Sequence, residues 1–163
     1  MLQLRVSSSG LRRVDKGLGV RGGEKVHCVA AEKQKIREAC GRRSVLVVDD
    51  CADMCGQLQA GLEGRGFQVT TATSGNQALE MLRKKKFGAV ISDIQMPNGT
   101  GIGLLEGMRC SGDDTPIIMM TAAISFSEEQ IVAIGGNGFL RKPFNINILV
   151  SKLEPHFVQW GNL

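Results

Sequence analysis

The sequence lacks the features that mark several common classes of protein. No stretch approaches the roughly 18 consecutive apolar residues of a membrane span, and no signal-peptide core is present. The two histidines and five cysteines are scattered, without the spacing of a zinc site or a disulfide framework. We therefore expect a cytoplasmic protein with reduced thiols that does not associate with membranes.

Aromatic residues are also scarce, at 4% of the chain, and the net charge of +4 is unevenly distributed. Residues 1–43 carry +7 and residues 44–163 carry −3. A basic segment attracts nucleic acid electrostatically, but no aromatic or recognition element accompanies this one. We expect a flexible basic extension over residues 1–43 and no nucleic-acid binding by the chain itself. A short linker helix near residues 31–40 is an open alternative.

Between residues 44 and 158, short apolar runs alternate with segments whose apolar residues recur at helical spacing. The runs lie at 45–48, 67–71, 89–92, 116–120 and 138–140. Short strands that are apolar on both faces, each followed by an amphipathic helix, form a parallel sheet covered on both sides. The sequence thus predicts one α/β domain over residues 44–158, followed by a short tail over 159–163.

Polar residues stand where four of these strands end. They are Asp49, Asp50, Asp93, Thr121 and Lys142. Ligands of such sheets bind outside the carboxyl ends of the strands, so these residues are expected to share one site. Three carboxylates in one crevice repel one another unless a cation lies among them, and hard oxygen ligands favour magnesium or manganese. A lysine and a hydroxyl opposite them suit the oxygens of a phosphoryl group.

Four short motifs stand in order around these residues. They are VVDD (47–50), SDIQMP (92–97) with Gly101, MTA (120–122) and FLRKPF (139–144). Asp50, Asp93, Thr121 and Lys142 are separated by 43, 28 and 21 positions. With these motifs and separations, residues 44–158 resemble the receiver domain of bacterial response regulators, the CheY-like domain of two-component phosphorelay systems.

The resemblance implies a doubly wound, flavodoxin-like fold, with a five-stranded parallel sheet in the order 2-1-3-4-5. It implies that Asp93 is the phosphoacceptor, taking its phosphoryl group from a sensor histidine kinase or a histidine phosphotransfer protein. It also implies that Asp50, Asp93 and the backbone carbonyl of Gln95 bind Mg²⁺, with Mn²⁺ as a substitute, and that Asp49 assists through water.

The resemblance further assigns the groups that respond to the phosphoryl. Thr121 and Lys142 would hold its oxygens, and Phe139 occupies the position of the aromatic switch. The fourth helix, fifth strand and fifth helix would form the output face toward an unknown downstream protein. Taken alone, Phe139 is equally consistent with a core aromatic that never rotates, and Asp49 or Asp50 with an N-cap of the first helix.

Several functions are compatible with these residues. We expect a phosphorylation switch that is not an enzyme, with slow loss of its own phosphoryl group at most. Because few residues follow position 158, we expect no output domain in this chain. The alternatives are the receiver module of a hybrid histidine kinase and a receiver-like module that is never phosphorylated. A phosphohydrolase is disfavoured, since that class needs an acid where Gln95 stands.

Overall fold

A computed structural model describes residues 43–158 of the chain. The predicted basic extension, the open linker helix near 31–40 and the tail over 159–163 lie outside the described residues, apart from Arg43. The proposed domain boundaries therefore remain predictions. Among the described residues, no helix combines the length and apolar character needed to cross a membrane.

Five strands and five helices alternate strictly along the described part of the chain. In order they are β1 (Ser44–Val48), α1 (Ala52–Glu63), β2 (Gln68–Ala72), α2 (Gly75–Lys84), β3 (Ala89–Asp93), α3 (Gly101–Cys110), β4 (Ile117–Thr121), α4 (Glu128–Ala133), β5 (Gly138–Arg141) and α5 (Ile146–Val158). Each predicted strand is present, with its ends shifted by no more than one residue.

The strands form one parallel sheet in the order β2-β1-β3-β4-β5. Every residue of β1, β3 and β4 is buried, whereas the edge strands β2 and β5 are partly exposed. This pattern explains the continuous apolar runs, because a central parallel strand is covered on both faces. The predicted α/β, flavodoxin-like fold is confirmed.

Two hydrophobic cores lie on opposite faces of the sheet, because successive side chains of a strand point to opposite sides. Leu46 and Val48 pack with residues of α2, α3 and α4. Val45 and Val47 pack with residues of α1 and α5. The helices are thereby fixed on both sides, and the loops at the carboxyl edge of the sheet are brought together.

Four helices begin with a side-chain cap, and α1 does not. Ser74, Thr100 and Ser127 each accept a hydrogen bond from a backbone N–H of the first helical turn. Before α5, Oδ1 of Asn145 accepts a hydrogen bond from the N–H of Asn147 at 2.8 Å. The N-cap of α1 is Cys51, which makes no such bond. The interpretation of Asp49 or Asp50 as an N-cap is therefore wrong: they lie two positions and one position before the N-cap, and Asp49 makes another contact.

The fourth helix is short for a physical reason. It ends at Ala133, and Gly135 follows with φ of +94°, which only glycine adopts readily. A Cβ on Gly136 would lie 2.4 Å from Cγ2 of Ile131. The glycine-rich segment before β5 therefore ends α4 and lets the chain turn tightly against it.

Candidate functional site

Three carboxylates converge at the carboxyl edge of the sheet. Asp49 and Asp50 directly follow β1, and Asp93 is the last residue of β3. One oxygen from each lies within 4.8 Å of the others. Asp49 and Asp93 are buried, whereas Asp50 is exposed. Since β1 and β3 are neighbours in the sheet, their ends necessarily deliver these acids to one place.

Lys142 places its ammonium group against two of these acids. Its Nζ lies 2.6 Å from Oδ2 of Asp49 and 3.2 Å from Oδ2 of Asp93. Burial alone would lower the pKa of Lys142, but hydrogen bonding and attraction to Asp49, with a further contribution from Asp93, hold that pKa above its usual value. Lys142 is therefore a cation throughout the physiological range.

The environment of Asp93 favours the neutral form of this carboxyl, whereas that of Lys142 favours the charged form. Burial raises the pKa of Asp93, and the attraction to Lys142 counters only part of that rise. The negative charge of Asp49 raises it further, while a long contact from the N–H of Gln95 to Oδ1 (3.5 Å) lowers it slightly. Additional positive charge near the three acids would favour the ionised form of Asp93.

Asp49 is held by the chain as well as by the lysine. Its Oδ1 accepts a hydrogen bond from the N–H of Cys51 at 2.9 Å, while its Oδ2 contacts Lys142. This explains why Asp49 does not cap α1. Asp50, by contrast, is exposed beside it and accessible from solvent.

Thr121 stands at the same edge, at the end of β4, and is fully buried. Its Oγ1 accepts a hydrogen bond from the N–H of Ala123 at 3.0 Å. Its carbonyl accepts one from the N–H of Lys142 at 2.8 Å. The threonine is therefore connected through backbone groups both to the lysine and to the loop that leads into α4.

Phe139 lies within β5 rather than at its carboxyl end. The register of β4 and β5 places it opposite Met119, two positions before the edge of the sheet. Its half-buried ring packs against the core on the side of α2 and α3. Gln95 lies in the exposed loop after β3, beside Asp93.

A glycine allows the loop after β3 to close tightly around Asp93. Gly101 begins α3, and a Cβ at this position would lie 2.1 Å from the carbonyl oxygen of Asp93. Its N–H donates to the carbonyl of Ile94 at 3.0 Å. The loop between them turns through Asn98 and Gly99, both at positive φ. The start of α3 is thus packed directly on the backbone of Asp93.

The family comparison agrees with this geometry. The model described as the response regulator receiver domain matches residues 45–154, about two thirds of the chain.

The chain belongs to this family.

Receiver domains of this family are signalling switches, and the described part of the chain has their fold.

Similar proteins include transcriptional regulators. The Transcriptional regulatory protein PrrA of Mycobacterium tuberculosis is 32% identical over 111 residues, which cover 68% of this chain and 48% of PrrA. ZraR of Salmonella typhimurium, another transcriptional regulatory protein, is 37% identical over 116 residues, covering 70% of this chain and 26% of ZraR. The chain thus spans about half the length of PrrA and a quarter of ZraR.

Among solved structures, the chemotaxis response regulator CheY4 of Vibrio cholerae is similar. It superposes with a TM-score of 0.63 at 34% identity, covering 70% of this chain and 98% of CheY4. The similarity therefore extends over almost the whole of the CheY4 chain.

The sequence did not predict a role for one residue at this edge, Arg141. Arg141, directly before Lys142, donates hydrogen bonds to the carbonyls of Ala123 (2.8 Å) and Phe126 (2.9 Å). Its guanidinium carbon also lies 5.6 Å from the ring centroid of Phe139. No local signal distinguishes this arginine from an ordinary exposed residue at a strand end, because its partners lie 15 and 18 positions earlier in the chain.

Proposed function

We propose that this receiver domain accepts a phosphoryl group on Asp93 from the phosphohistidine of a sensor histidine kinase or a histidine phosphotransfer protein, and that it needs Mg²⁺ to do so. The acceptor role of Asp93, the metal and the donor go beyond family membership.

The observation that carries the proposal is the charge balance of the site. Three carboxylates share a space less than 5 Å across, and one ammonium group contacts two of them. With all four groups ionised, the site carries a charge of −2, which one divalent cation would balance. Hard carboxylate oxygens are the ligands that Mg²⁺ prefers, and the donor set therefore fits this ion.

The residues that would hold the ion are Asp50, Asp93 and the backbone carbonyl of Gln95, with Asp49 acting through water. Exposed Asp50 is accessible to a hydrated ion, and buried Asp49 is occupied by Lys142 and the N–H of Cys51. This difference supports a direct role for Asp50 and an indirect one for Asp49. When bound, Mg²⁺ would neutralise charge on the oxygens of the phosphoryl group.

Asp93 is suited to act as the nucleophile. An oxygen of its carboxylate attacks phosphorus as the phosphorus–nitrogen bond of the phosphohistidine breaks. The electron pair of that bond stays with the imidazole nitrogen, which takes up a proton. The ammonium group of Lys142 and the hydroxyl of Thr121 would hold the phosphoryl oxygens, and the lysine already contacts Asp93.

The signal would leave through the face formed by α4, β5 and α5. Thr121 is bonded to Ala123 in the loop before α4, so movement of its hydroxyl toward a phosphoryl group would be transmitted to that helix. Phe139, on β5, would turn inward as the threonine moves. Output would then be a contact with a downstream protein or relay to another histidine, and loss of the phosphoryl group by hydrolysis would be slow.

Labelling with a small phosphodonor tests the acceptor. With Mg²⁺ and acetyl phosphate, intact-mass spectrometry of the wild type should show one added phosphoryl group, and Asp93→Asn should show none. Asp53→Asn is the matched control, since Asp53 is an exposed acid in the first turn of α1 outside the three-carboxylate cluster. This control should be labelled like the wild type.

Three outcomes would contradict the proposal. Equal labelling of the wild type and Asp93→Asn would remove Asp93 as the acceptor. Absence of label in the wild type, under donor and metal conditions that label CheY4 in parallel, would favour the receiver-like module that is never phosphorylated. Labelling that persists with excess chelator would show that phosphorylation does not require Mg²⁺.

A further inference from the structure

Arg141 bonds β5 to the loop between β4 and α4, and the proposed switch must move both segments. Its guanidinium donates to the carbonyls of Ala123 and Phe126, at 2.8 Å and 2.9 Å. It also lies over the ring of Phe139. A planar guanidinium is well suited to this task, because it presents several donors in a rigid fork and stacks on an aromatic face.

The same loop is bonded to the threonine of the site. Ala123 donates its N–H to Oγ1 of Thr121, and its carbonyl accepts from Arg141. Ala123 therefore links Arg141 to the hydroxyl of Thr121, which would bind a phosphoryl oxygen. Any displacement of that hydroxyl toward Asp93 pulls on Ala123, and the bonds to Arg141 resist the pull.

We infer that Arg141 is a positioning residue, a latch that holds the loop between β4 and α4 against β5 and sets how readily the domain switches. The inference rests on the proposed function, in which Thr121 moves toward a phosphoryl group on Asp93. The contacts of Arg141 occur in the conformation in which Lys142 pairs directly with the carboxylate of Asp93, at 3.2 Å.

The latch opposes switching without preventing it. Arg141 is exposed, so each of its hydrogen bonds contributes only modestly to stability in competition with water. Contacts that stabilise one of two conformations lower the apparent affinity of any ligand that prefers the other. Removing the latch should therefore strengthen binding of a phosphoryl mimic, although it removes a contact from the folded chain.

Two variants separate the latch from a simple effect of charge. Arg141→Lys keeps the positive charge and loses the fork, whereas Arg141→Met loses both. Both should bind beryllofluoride with Mg²⁺ more tightly than the full-length wild type, by about three- to tenfold in apparent affinity. Titrations followed by amide chemical shifts of residues 122–127 would measure this directly.

Lys152→Met is the matched control. Lys152 is a cation on α5 that pairs with Glu128 of α4 at 2.8 Å and makes no contact with the carbonyls of the loop. Its removal should leave the affinity for beryllofluoride unchanged. Hydrogen exchange at the N–H of Ala123 should be faster in both Arg141 variants, even without the mimic, and unchanged in Lys152→Met. Circular dichroism should show all variants folded.

Two results would overturn the latch. Weaker binding by Arg141→Met together with wild-type binding by Arg141→Lys would show that Arg141 acts only through its charge. Equal affinities across the series, with binding intact, would show that it does not restrain the switch. If the wild type itself bound no beryllofluoride, the proposed function would fail and the latch with it, which distinguishes the two failures.

Discussion

The surroundings of two carboxylates in this domain favour different ionisation states. Asp93 is buried, its pKa is raised, and it gains from added positive charge. Asp113, at the opposite edge of the sheet before β4, is stabilised in its ionised form. Its Oδ1 accepts hydrogen bonds from the N–H and hydroxyl of Thr115, and Lys86 lies 3.7 Å from its Oδ2. One acid is therefore prepared for a ligand, and the other stabilises the fold.

Asp113 should make stability depend on pH. Burial alone would raise the pKa of Asp113, but the bonds from Thr115, together with Lys86 and Arg109, lower it overall. Because the folded-state pKa is below the unfolded one, the contribution is fully present above about pH 4. It is lost as the pH falls through the folded-state value. Asp113→Asn should reduce the free energy of unfolding by about 1 kcal/mol at pH 7.

Chemical denaturation at several pH values would measure this difference. It should shrink toward zero in acid, where Asp113 is protonated in both folded and unfolded states of the wild type. Asp114→Asn is the control, because Asp114 is the exposed neighbour and should change stability little at any pH. If Asp113→Asn lost as much free energy of unfolding in strong acid as at pH 7, the electrostatic explanation would be refuted.

The sequence predicted which residues meet at this edge of the sheet better than it predicted their contacts. Asp49, Asp50, Asp93 and Lys142 were found because each follows a buried strand, and parallel strands must end at one edge. The role of Asp49 as a partner of Lys142 and of the N–H of Cys51, rather than as a helix cap, depends on side-chain orientation. Such contacts between residues 93 positions apart are decided by packing.

At the scale of elements, the start of α3 controls the backbone of the site. Gly101 and Gly103 lie in the same helical turn and differ only in what they face. A Cβ on Gly101 would lie 2.1 Å from the carbonyl oxygen of Asp93 and 2.8 Å from Cε of Met119. A Cβ on Gly103 would meet only Oγ1 of Thr100, at 3.4 Å.

Gly101→Ala should therefore damage both stability and phosphorylation. We expect a loss of about 1–3 kcal/mol in the free energy of unfolding, because backbone atoms must move to accept the methyl group. Labelling of Asp93 should slow in the fraction that remains folded. Gly103→Ala should retain full labelling and gain up to about 1 kcal/mol from the helical preference of alanine.

Thermal unfolding and acetyl phosphate labelling of both variants provide the comparison. If Gly101→Ala matched the wild type in both measurements, the contact of α3 with Asp93 would not constrain the site. Sequence alone marked Gly101 through the family motif. The distance to Asp93 that explains it could not be predicted, since it depends on how tightly the loop at Asn98 and Gly99 turns.

At the scale of the whole molecule, the fold followed from alternation and burial. Strictly alternating strands and helices, with central strands apolar on both faces, leave a covered parallel sheet as the arrangement that buries them. The order of the strands came from the family resemblance, because several orders satisfy the same periodicity. Arg141 escaped prediction for a related reason: its contacts cross from β5 to a loop two elements earlier.

The described part of the chain should function without the basic segment. The sheet, both helix layers and every proposed site residue lie within residues 43–158. A chain lacking residues 1–40 keeps Arg43, which pairs with Glu154 and lies 4.3 Å above the ring of Phe67. We expect it to be labelled by acetyl phosphate at the rate of the full chain. A large loss of labelling would place part of the site within residues 1–40.

The position of the phosphoryl group is the most direct test of the central claim, that the acids beside Lys142 form a metal-dependent phosphoacceptor. Borohydride reduces an aspartyl phosphate to homoserine, which peptide mass spectrometry locates in the sequence. After labelling with Mg²⁺, homoserine should appear at position 93, and chelation of the metal should abolish it. Homoserine at another aspartate, or equal yield at position 93 with chelator, would contradict the claim.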